Sequence, residues 1–236
     1  MSAEPCTGPV TPGGPSTLHV LGDAEVRTVS VGPMDNRAYL VTCRRTGAQL
    51  LVDAPAEPDR LLALVREGSP SARLDVVVVT HRHADHLGAL APLVAVTGAA
   101  VAVGAPDADA VEEATGCAVA TRLRDGDSLA VGGLVLGVVG LRGHTPGSVA
   151  LALTEPPGPG DDRPGRVHLF TGDSLFPGGV GATQGDPQRF ARLLHDVTTR
   201  LFDRYDDRTC VHPGHGDGTT LGAERPQLPA WAARGW

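Results

Sequence analysis

Short apolar runs and alternating stretches along the chain predict strands, and a few longer stretches have the spacing of helices. Residues 73–80, RLDVVVVT, form an apolar run without alternation, which is typical of a strand buried on both faces. A hairpin followed by a long strand is predicted over 125–143, DGDSLAVGGLVLGVVGLRG. The other predicted strands cover residues 17–22, 38–43, 49–53, 100–103, 148–154, 166–173 and 209–214.

Four stretches are predicted to be helices: 57–68, 88–96, 106–116 and 186–204. The first has Pro58 near its start and Gly68 at its end, where these residues are favoured. Both halves of the chain contain several strands with helices interleaved, and no linker separates the halves. The pattern therefore predicts one α+β domain over 17–236, with two sheets packed face to face and helices on both outer sides.

Two segments rich in proline and glycine are predicted to lie outside this framework. Residues 1–16 have neither the basic nor the apolar region of a signal peptide, and we expect a flexible tail. The segment PPGPGDDRPG, residues 156–165, predicts a surface loop. No apolar run is long enough to span a bilayer, so we expect no membrane association and a cytoplasmic protein. No two of the four cysteines form a CxxC motif or sit side by side, so Cys6, Cys43, Cys117 and Cys210 are expected to be unpaired thiols, buried or idle, of a cytoplasmic protein.

Composition narrows the possible functions. The net charge is −7, and no run of basic residues is present, which argues against binding to nucleic acid. All 20 basic residues are arginine, so a catalytic lysine is excluded. Aromatic residues are only 3% of the chain, and valine, leucine and alanine must therefore supply the core.

The stretch THRHADHLG, residues 80–88, places three histidines and an aspartate directly after the predicted buried strand. A loop at a strand end holds ligands firmly and leaves them open to solvent. Imidazole and carboxylate groups are common zinc ligands. His81 and His83 lie two residues apart and could bind one ion, whereas Asp85 and His86 could face a second one.

Three further ligand candidates also follow predicted strands. They are His144 in RGHTPGS, Asp173 in FTGDSLF and His215 in HPGHGD. Four such loops would lie along one edge of the two sheets. The candidate ligands exceed the three or four that one zinc ion needs, and they suit two ions about 3.5–4 Å apart joined by a carboxylate. The full set is His81, His83, Asp85, His86, His144, Asp173 and His215.

The order of HxHxDH, GHTPGS, GDSLF and PGHG resembles that of the metallo-β-lactamase-fold hydrolases. Three longer segments are similar to the glyoxalase II-like branch, the hydroxyacylglutathione hydrolases: MDNRAYLV (34–41), TGDSLFPGGVG (171–181) and PGHGDGTTLGAER (213–225). The resemblance implies an αββα four-layer sandwich. Only 21 residues follow His215, so the chain resembles a short form without the helical domain that helps to hold glutathione.

The resemblance also implies how the ligands are divided. One metal would take His81, His83 and His144, and the other would take Asp85, His86 and His215. Asp173 would bridge the two metals, and Asp85 and Asp173 would be the catalytic carboxylates. A bridging aspartate in this motif argues against a true β-lactamase.

The resemblance implies a dinuclear zinc enzyme that cleaves a small acyl thioester with a metal-bridging hydroxide; iron or manganese could replace zinc. One alternative is a persulfide dioxygenase with a single iron, whose HxHxDH and GHTPG motifs are similar. Another is a lactone or carrier-protein thioester hydrolase, and a third is a non-catalytic binding protein. An RNA-processing nuclease of the same superfamily is disfavoured by the net charge. His19, His168, His195 and His212 are not expected to be ligands.

Overall fold

The computed structural model describes residues 10–157 and 165–235, which form two large β-sheets, a small hairpin, six α-helices and a few short 3₁₀ or π turns. The first sheet has seven strands, whose order across the sheet follows the chain. They are β1 (Thr17–Leu21), β2 (Ala24–Val31), β3 (Asn36–Cys43), β4 (Gln49–Val52), β5 (Val76–Val79), β6 (Ala100–Gly104) and β7 (Val119–Leu123).

The first sheet changes from antiparallel to parallel pairing at β4. Strands β1 to β4 form an antiparallel meander, and β4 to β7 run parallel. Parallel neighbours need crossover connections, and three helices supply them. These are α1 (Pro58–Gly68), α2 (Leu90–Thr97) and α3 (Ala108–Thr115).

The second sheet has six strands and is antiparallel except where β14 pairs with β11. Across the sheet, the strands are β15 (Thr219–Thr220), β14 (Cys210–Pro213), β11 (Val167–Gly172), β10 (Val149–Thr154), β9 (Leu134–Gly140) and β8 (Ser128–Val131). The remaining elements are the hairpin β12 (Leu175–Phe176) and β13 (Gly179–Val180), with α4 (Pro187–Val197), α5 (Leu221–Glu224) and α6 (Leu228–Arg234).

Three clusters of buried apolar side chains separate four layers. On β4, Leu50 belongs to the cluster between the sheets, whereas Leu51 packs with Leu61 of α1 on the outer face. On the outer face of the second sheet, Leu169 packs with Leu193 of α4. Neighbouring residues of a strand point to opposite faces, so each sheet needs cover on both sides. The predicted α+β fold, an αββα four-layer sandwich, is confirmed.

Several elements differ from the sequence-based expectation. Strand β7, the hairpin of β12 and β13, strand β15 and helices α5 and α6 were not predicted. Strand β2 was not predicted, although Ala24 and Val26 alternate with Glu25 and Arg27. The helix predicted over 186–204 is α4 followed by one turn of π-helix at Thr198–Phe202. Its N-cap is Asp186, whose side chain accepts hydrogen bonds from two backbone N–H groups of the first turn.

The predicted tail and the predicted 156–165 loop lie partly outside the described residues. Residues 1–9 are not among those described, nor are residues 158–164. Of the described part of the tail, Val10 is buried and its carbonyl accepts a hydrogen bond from Nη1 of Arg37 at 3.1 Å. Within the described ranges, no helix combines the length and apolar character that a membrane span requires.

The prediction that the cysteines are all unpaired thiols is wrong for Cys210. Cys43 and Cys117 are free and buried, whereas Cys210 is disulfide-bonded. The spacing of cysteines along the sequence does not reveal which sulfur atoms the tertiary structure brings together.

Candidate metal centre

Four strand ends bring the candidate ligands to one edge of the sandwich. Strand β5 of the first sheet leads into the HxHxDH loop, where Ala84–His86 form one 3₁₀ turn. In the second sheet, β9 leads towards His144, Asp173 directly follows β11, and His215 lies just after β14. Both sheets therefore contribute to the same centre.

All seven predicted ligands lie together. Their ligand atoms fall into three groups, and within each group the atoms are within 4.8 Å of one another. The groups overlap at His81 and His86, so they form one continuous cluster. They are His81, His83 and His144; His81, His86 and Asp173; and Asp85, His86 and His215.

Asp173 stands between the outer two groups. Its Oδ2 is 3.6 Å from Nε2 of His144 and 3.4 Å from Nε2 of His215. Its Oδ1 is 3.4 Å from Nε2 of His86. This carboxylate therefore faces both a three-histidine group and the group that contains Asp85.

The donor set fits a cation. Nε2 of His81, Nε2 of His144 and Oδ1 of Asp173 are buried and have no hydrogen-bond partner. Leaving such atoms unsatisfied costs roughly 1–3 kcal/mol each. Three of them aimed at one small volume are accounted for by a metal ion, which they would ligate directly.

Hydrogen bonds on the outer side of the cluster fix the orientation of three rings. Nδ1 of His86 is 2.9 Å from Oδ2 of Asp53, Nδ1 of His144 is 2.7 Å from the Ala182 carbonyl, and Nδ1 of His215 is 2.9 Å from the Met34 carbonyl. Because these partners are acceptors, each Nδ1 carries the proton that it donates. When such a ring is neutral, the lone pair on its Nε2 points into the cluster.

Asp53 and Asn36 support the ligands but were not singled out in the sequence. Asp53 is buried at the end of β4 and accepts hydrogen bonds from the backbone N–H and the hydroxyl of Thr80, at 2.7 and 2.8 Å. Asn36 donates to Oδ2 of Asp85 at 3.0 Å. Asp53 closes a predicted strand, QLLVD, and this strand-end position was the available signal.

The histidines on the two sides of the cluster have pKa values shifted in opposite directions. Burial lowers the pKa of His81, His83 and His144, which keeps these imidazoles neutral and able to donate lone pairs. Burial would also lower the pKa of His86, but Asp53 and Asp173 outweigh it and raise that pKa to about 10.

The carboxylate of Asp173 is stabilised in its ionised form. Burial acts to raise its pKa, but the neighbouring His215 and His86 outweigh burial and hold the pKa well below its usual range. Asp173 likewise raises the pKa of His215 against the opposing effect of burial. A metal ion bound on this side would displace protons from these histidines.

Gly214 shows why the PGHG motif needs its first glycine. A Cβ at this position would lie 2.2 Å from Oδ1 of Asp173 and 2.8 Å from Cε1 of His86. No side chain fits there without displacing a candidate ligand. The motif thus provides space as well as His215.

Several other histidines lie outside the three ligand groups. His168 connects Glu155 to His212 through contacts of 2.6 Å at Nε2 and 2.9 Å at Nδ1. The ring of His19 packs edge-on against His168, and His195 is exposed on α4. None of the four was expected to be a ligand.

The fold and the cluster together define a class of protein. Residues 31–215 match the family model described as the metallo-beta-lactamase superfamily. The chain belongs to this superfamily, as its motifs predicted.

Within the superfamily, the relatives are those that the longer motifs indicated. The chain is 35% identical over 147 residues to a hydroxyacylglutathione hydrolase of Fuscovulum blasticum, which covers 62% of this chain and 51% of the relative. The chain thus spans about half the length of that curated relative. The predicted resemblance to the glyoxalase II-like branch is confirmed.

Two solved structures extend the comparison. ETHE1 from Myxococcus xanthus has a TM-score of 0.71 at 30% identity, covering 88% of this chain and 84% of that one. TTHA1623 in a di-iron-bound form has a TM-score of 0.64 at 32% identity, covering 84% of this chain and 96% of that one.

Proposed function

We propose that this protein is a dinuclear zinc hydrolase that cleaves a small acyl thioester. The observation that carries the proposal is the position of Asp173, whose two carboxylate oxygens face both ends of a seven-ligand cluster. A single tetrahedral zinc site would use only three or four of these ligands. Support for two metals also comes from the similarity to TTHA1623 in its di-iron-bound form.

The residues of this chain have distinct roles in the proposal. His81, His83 and His144 would hold one ion, and Asp85, His86 and His215 the other. Asp173 would bind both and fix their separation. Two such ions would supply Lewis acidity, activating water and polarising a carbonyl.

A thioester suits the surroundings of this centre. A thiolate leaves readily and needs little help from a general acid, and every carboxylate in the cluster is a candidate ligand. The similarity to hydroxyacylglutathione hydrolases supports the same reaction class. We therefore propose a small 2-hydroxyacyl or related thioester, with loose demands on the length of the thiol.

Metal analysis of the purified protein tests the number of metals. We expect about two zinc ions per chain, because one tetrahedral shell leaves several of the seven ligands unused. A single iron per chain, together with oxygen uptake on a persulfide, would contradict the proposal and favour the dioxygenase. Two ions of iron or manganese would keep the dinuclear site and correct only the identity of the metal.

A substrate panel tests the reaction. Lactoyl thioesters of glutathione and of shorter thiols are compared with an acyl carrier-protein thioester, a lactone and a β-lactam. We expect turnover of the lactoyl thioesters. Activity on the lactone alone, or on the carrier-protein thioester alone, would favour the corresponding alternative. Absence of turnover by fully metal-loaded protein would remove support for the thioester reaction.

A further inference from the structure

A groove of about 480 Å³ opens beside the three-histidine side of the centre. Arg82, which lines it, lies between His81 and His83 in the sequence. Gly143 and Thr145, which also line it, flank His144. The groove is thus lined by immediate sequence neighbours of His81, His83 and His144, although none of these three ligands lines it.

The groove is cationic, although the protein carries a net charge of −7. One carboxylate lines it, that of Asp186, and Oδ1 of this side chain accepts hydrogen bonds from the backbone N–H groups of Gln188 and Arg189. Four arginines line the same space: Arg82, Arg142, Arg189 and Arg192.

Two of these arginines are near buried carboxylates beneath the groove. Nε and Nη2 of Arg142 each donate to Asp196 at 2.9 Å, and Nη1 is not used in these hydrogen bonds. Nε of Arg82 is 3.8 Å from Oδ1 of Asp107. Their charges are thus largely compensated.

The other two arginines have no carboxylate partner within the described ranges. The guanidinium of Arg189 donates to the backbone carbonyls of Gly143 and His144 and to the side-chain amide of Gln184, all of which are uncharged. Arg192 is exposed on α4 and forms neither a hydrogen bond nor an ion pair with any described residue. The groove therefore presents two arginines without a carboxylate partner, Arg189 and Arg192, against the single lining carboxylate of Asp186.

Two apolar side chains lie near the opposite side of the centre. The half-buried ring of Phe176 lies 6.4 Å from the ring of His215, and the side chain of Met34, whose carbonyl bonds His215, is 54% exposed. A substrate would thus meet cations near His144 and apolar side chains near His215.

We infer that the arginine groove binds an anionic group, carboxylate or phosphate, on the substrate of the metal centre. This inference rests on the proposed function and adds one requirement to it: either the acyl group or the thiol part of the thioester carries a negative charge. Arginine suits this role because its planar guanidinium matches carboxylate and phosphate oxygens. The anionic group lies away from the reacting carbonyl and keeps its charge during reaction. Its contact with the groove should therefore lower KM and leave kcat unchanged.

Arg192→Glu is the test variant, because this side chain holds no other described residue in place. Arg66→Glu is its matched control: Arg66 is also exposed, lies in the last turn of α1 and has no described partner. Both variants change the net charge by the same amount. Arg189 is unsuitable, since its hydrogen bonds support the His144 loop.

Three thioesters show which part of the substrate needs the negative charge. Lactoylglutathione carries it on the thiol, succinyl-N-acetylcysteamine carries it on the acyl group, and lactoyl-N-acetylcysteamine is neutral. In R192E we expect KM for at least one anionic thioester to rise roughly three- to ten-fold, with kcat unchanged and a smaller effect at high salt. The neutral thioester and R66E should show no change. The anionic thioester that responds assigns the charge to the thiol or to the acyl arm.

A binding measurement distinguishes failure of the groove from failure of the reaction. S-hexylglutathione and neutral S-hexyl-N-acetylcysteamine are titrated into wild-type, R192E and R66E protein. Suppose that wild-type and R66E protein bind S-hexylglutathione more tightly than S-hexyl-N-acetylcysteamine, and that R192E does not. This result would support a subsite for an anion, even if no thioester were hydrolysed. The inference would be overturned if the three proteins bound S-hexylglutathione with the same dissociation constant and if, for each thioester, KM were also the same in all three proteins.

Discussion

Asp173 is the side chain on which both halves of the candidate centre depend. It is a largely buried carboxylate held in its ionised form by His86 and His215. Its place directly after β11 is fixed by Gly172, whose φ of +47° is in the left-handed region. Asparagine has nearly the same shape as aspartate but no charge, so replacing Asp173 by asparagine tests the charge while keeping the position of the side chain.

Asp173→Asn should keep the fold and greatly reduce activity, because one negative charge and one oxygen ligand between the metals are lost. We expect turnover to fall by more than about a hundred-fold, and occupancy of the second metal to fall with it. Elemental analysis and initial rates measure both effects. The exposed Asp203→Asn is the control. Wild-type rate and metal content in D173N would contradict the two-metal assignment.

Asp53→Asn tests a residue that supports a ligand without being one. The amide cannot accept from Thr80 and His86 as the carboxylate does, so His86 loses its orienting acceptor. We expect metal affinity to fall roughly 10–100-fold. Stability should fall by about 1–3 kcal/mol. Competition with a chelator measures the affinity and denaturant unfolding the stability; an unchanged affinity would rule out the orienting role.

At the scale of elements, α4 is tied to the loop that carries His144. Asp196 of α4 is 1% exposed and accepts hydrogen bonds from the backbone and the guanidinium of Arg142, two residues before His144. Burial acts to raise the pKa of Asp196, but the hydrogen bonds from Arg142 outweigh it and lower that pKa from its ordinary value of 3.8.

This ion pair should make part of the stability depend on pH. A carboxyl group whose pKa is lower in the folded state stabilises the protein fully above its unfolded pKa, and the contribution is lost as pH falls through the folded value. D196N should therefore be less stable than wild type by about 1.5–3 kcal/mol at pH 7. The difference should shrink below pH 3.8.

Denaturant unfolding at several pH values checks this expectation, with Asp203→Asn as an exposed control. A difference between D196N and wild type that stays the same at pH 3 and pH 7 would show that the charge of Asp196 is not its source.

At the scale of the whole molecule, the candidate centre joins the two sheets. The first sheet supplies His81, His83, Asp85 and His86, and the second supplies His144, Asp173 and His215. A metal bound to both groups would link them without adding to the apolar core. Its binding energy would then contribute to global stability.

Removal of metal should therefore lower the melting temperature. A ligand present at a hundred times its dissociation constant stabilises by about 2.7 kcal/mol. For a chain of this size, that corresponds to a fall of roughly 5–10 °C on chelation. Calorimetry before and after chelation, and after zinc is restored, measures the effect. An unchanged melting temperature in protein verified to be metal-free would show that the centre does not link the sheets.

The sequence by itself determined the layered fold and the set of candidate ligands. The VVVV run of β5 is apolar because both of its faces are covered, and that requirement is visible in the order of residues alone. The HxHxDH motif is equally local. His144, Asp173 and His215 could be placed with it because each follows a strand, and strand ends in this architecture meet at one edge.

Only the tertiary structure decided which residues surround the ligands. Asp53 precedes His86 by a whole crossover helix, yet the two side chains are 2.9 Å apart because β4 and β5 are adjacent. Arg82 lies in the loop after β5 of the first sheet and Arg192 on α4 beside the second sheet, yet both line the same groove. The disulfide at Cys210 and the hydrogen bonds of Arg142 to Asp196 are also contacts that form only in the tertiary structure. Such contacts join residues far apart in sequence, and hydrophobic periodicity describes only the local relation of each residue to its own strand or helix.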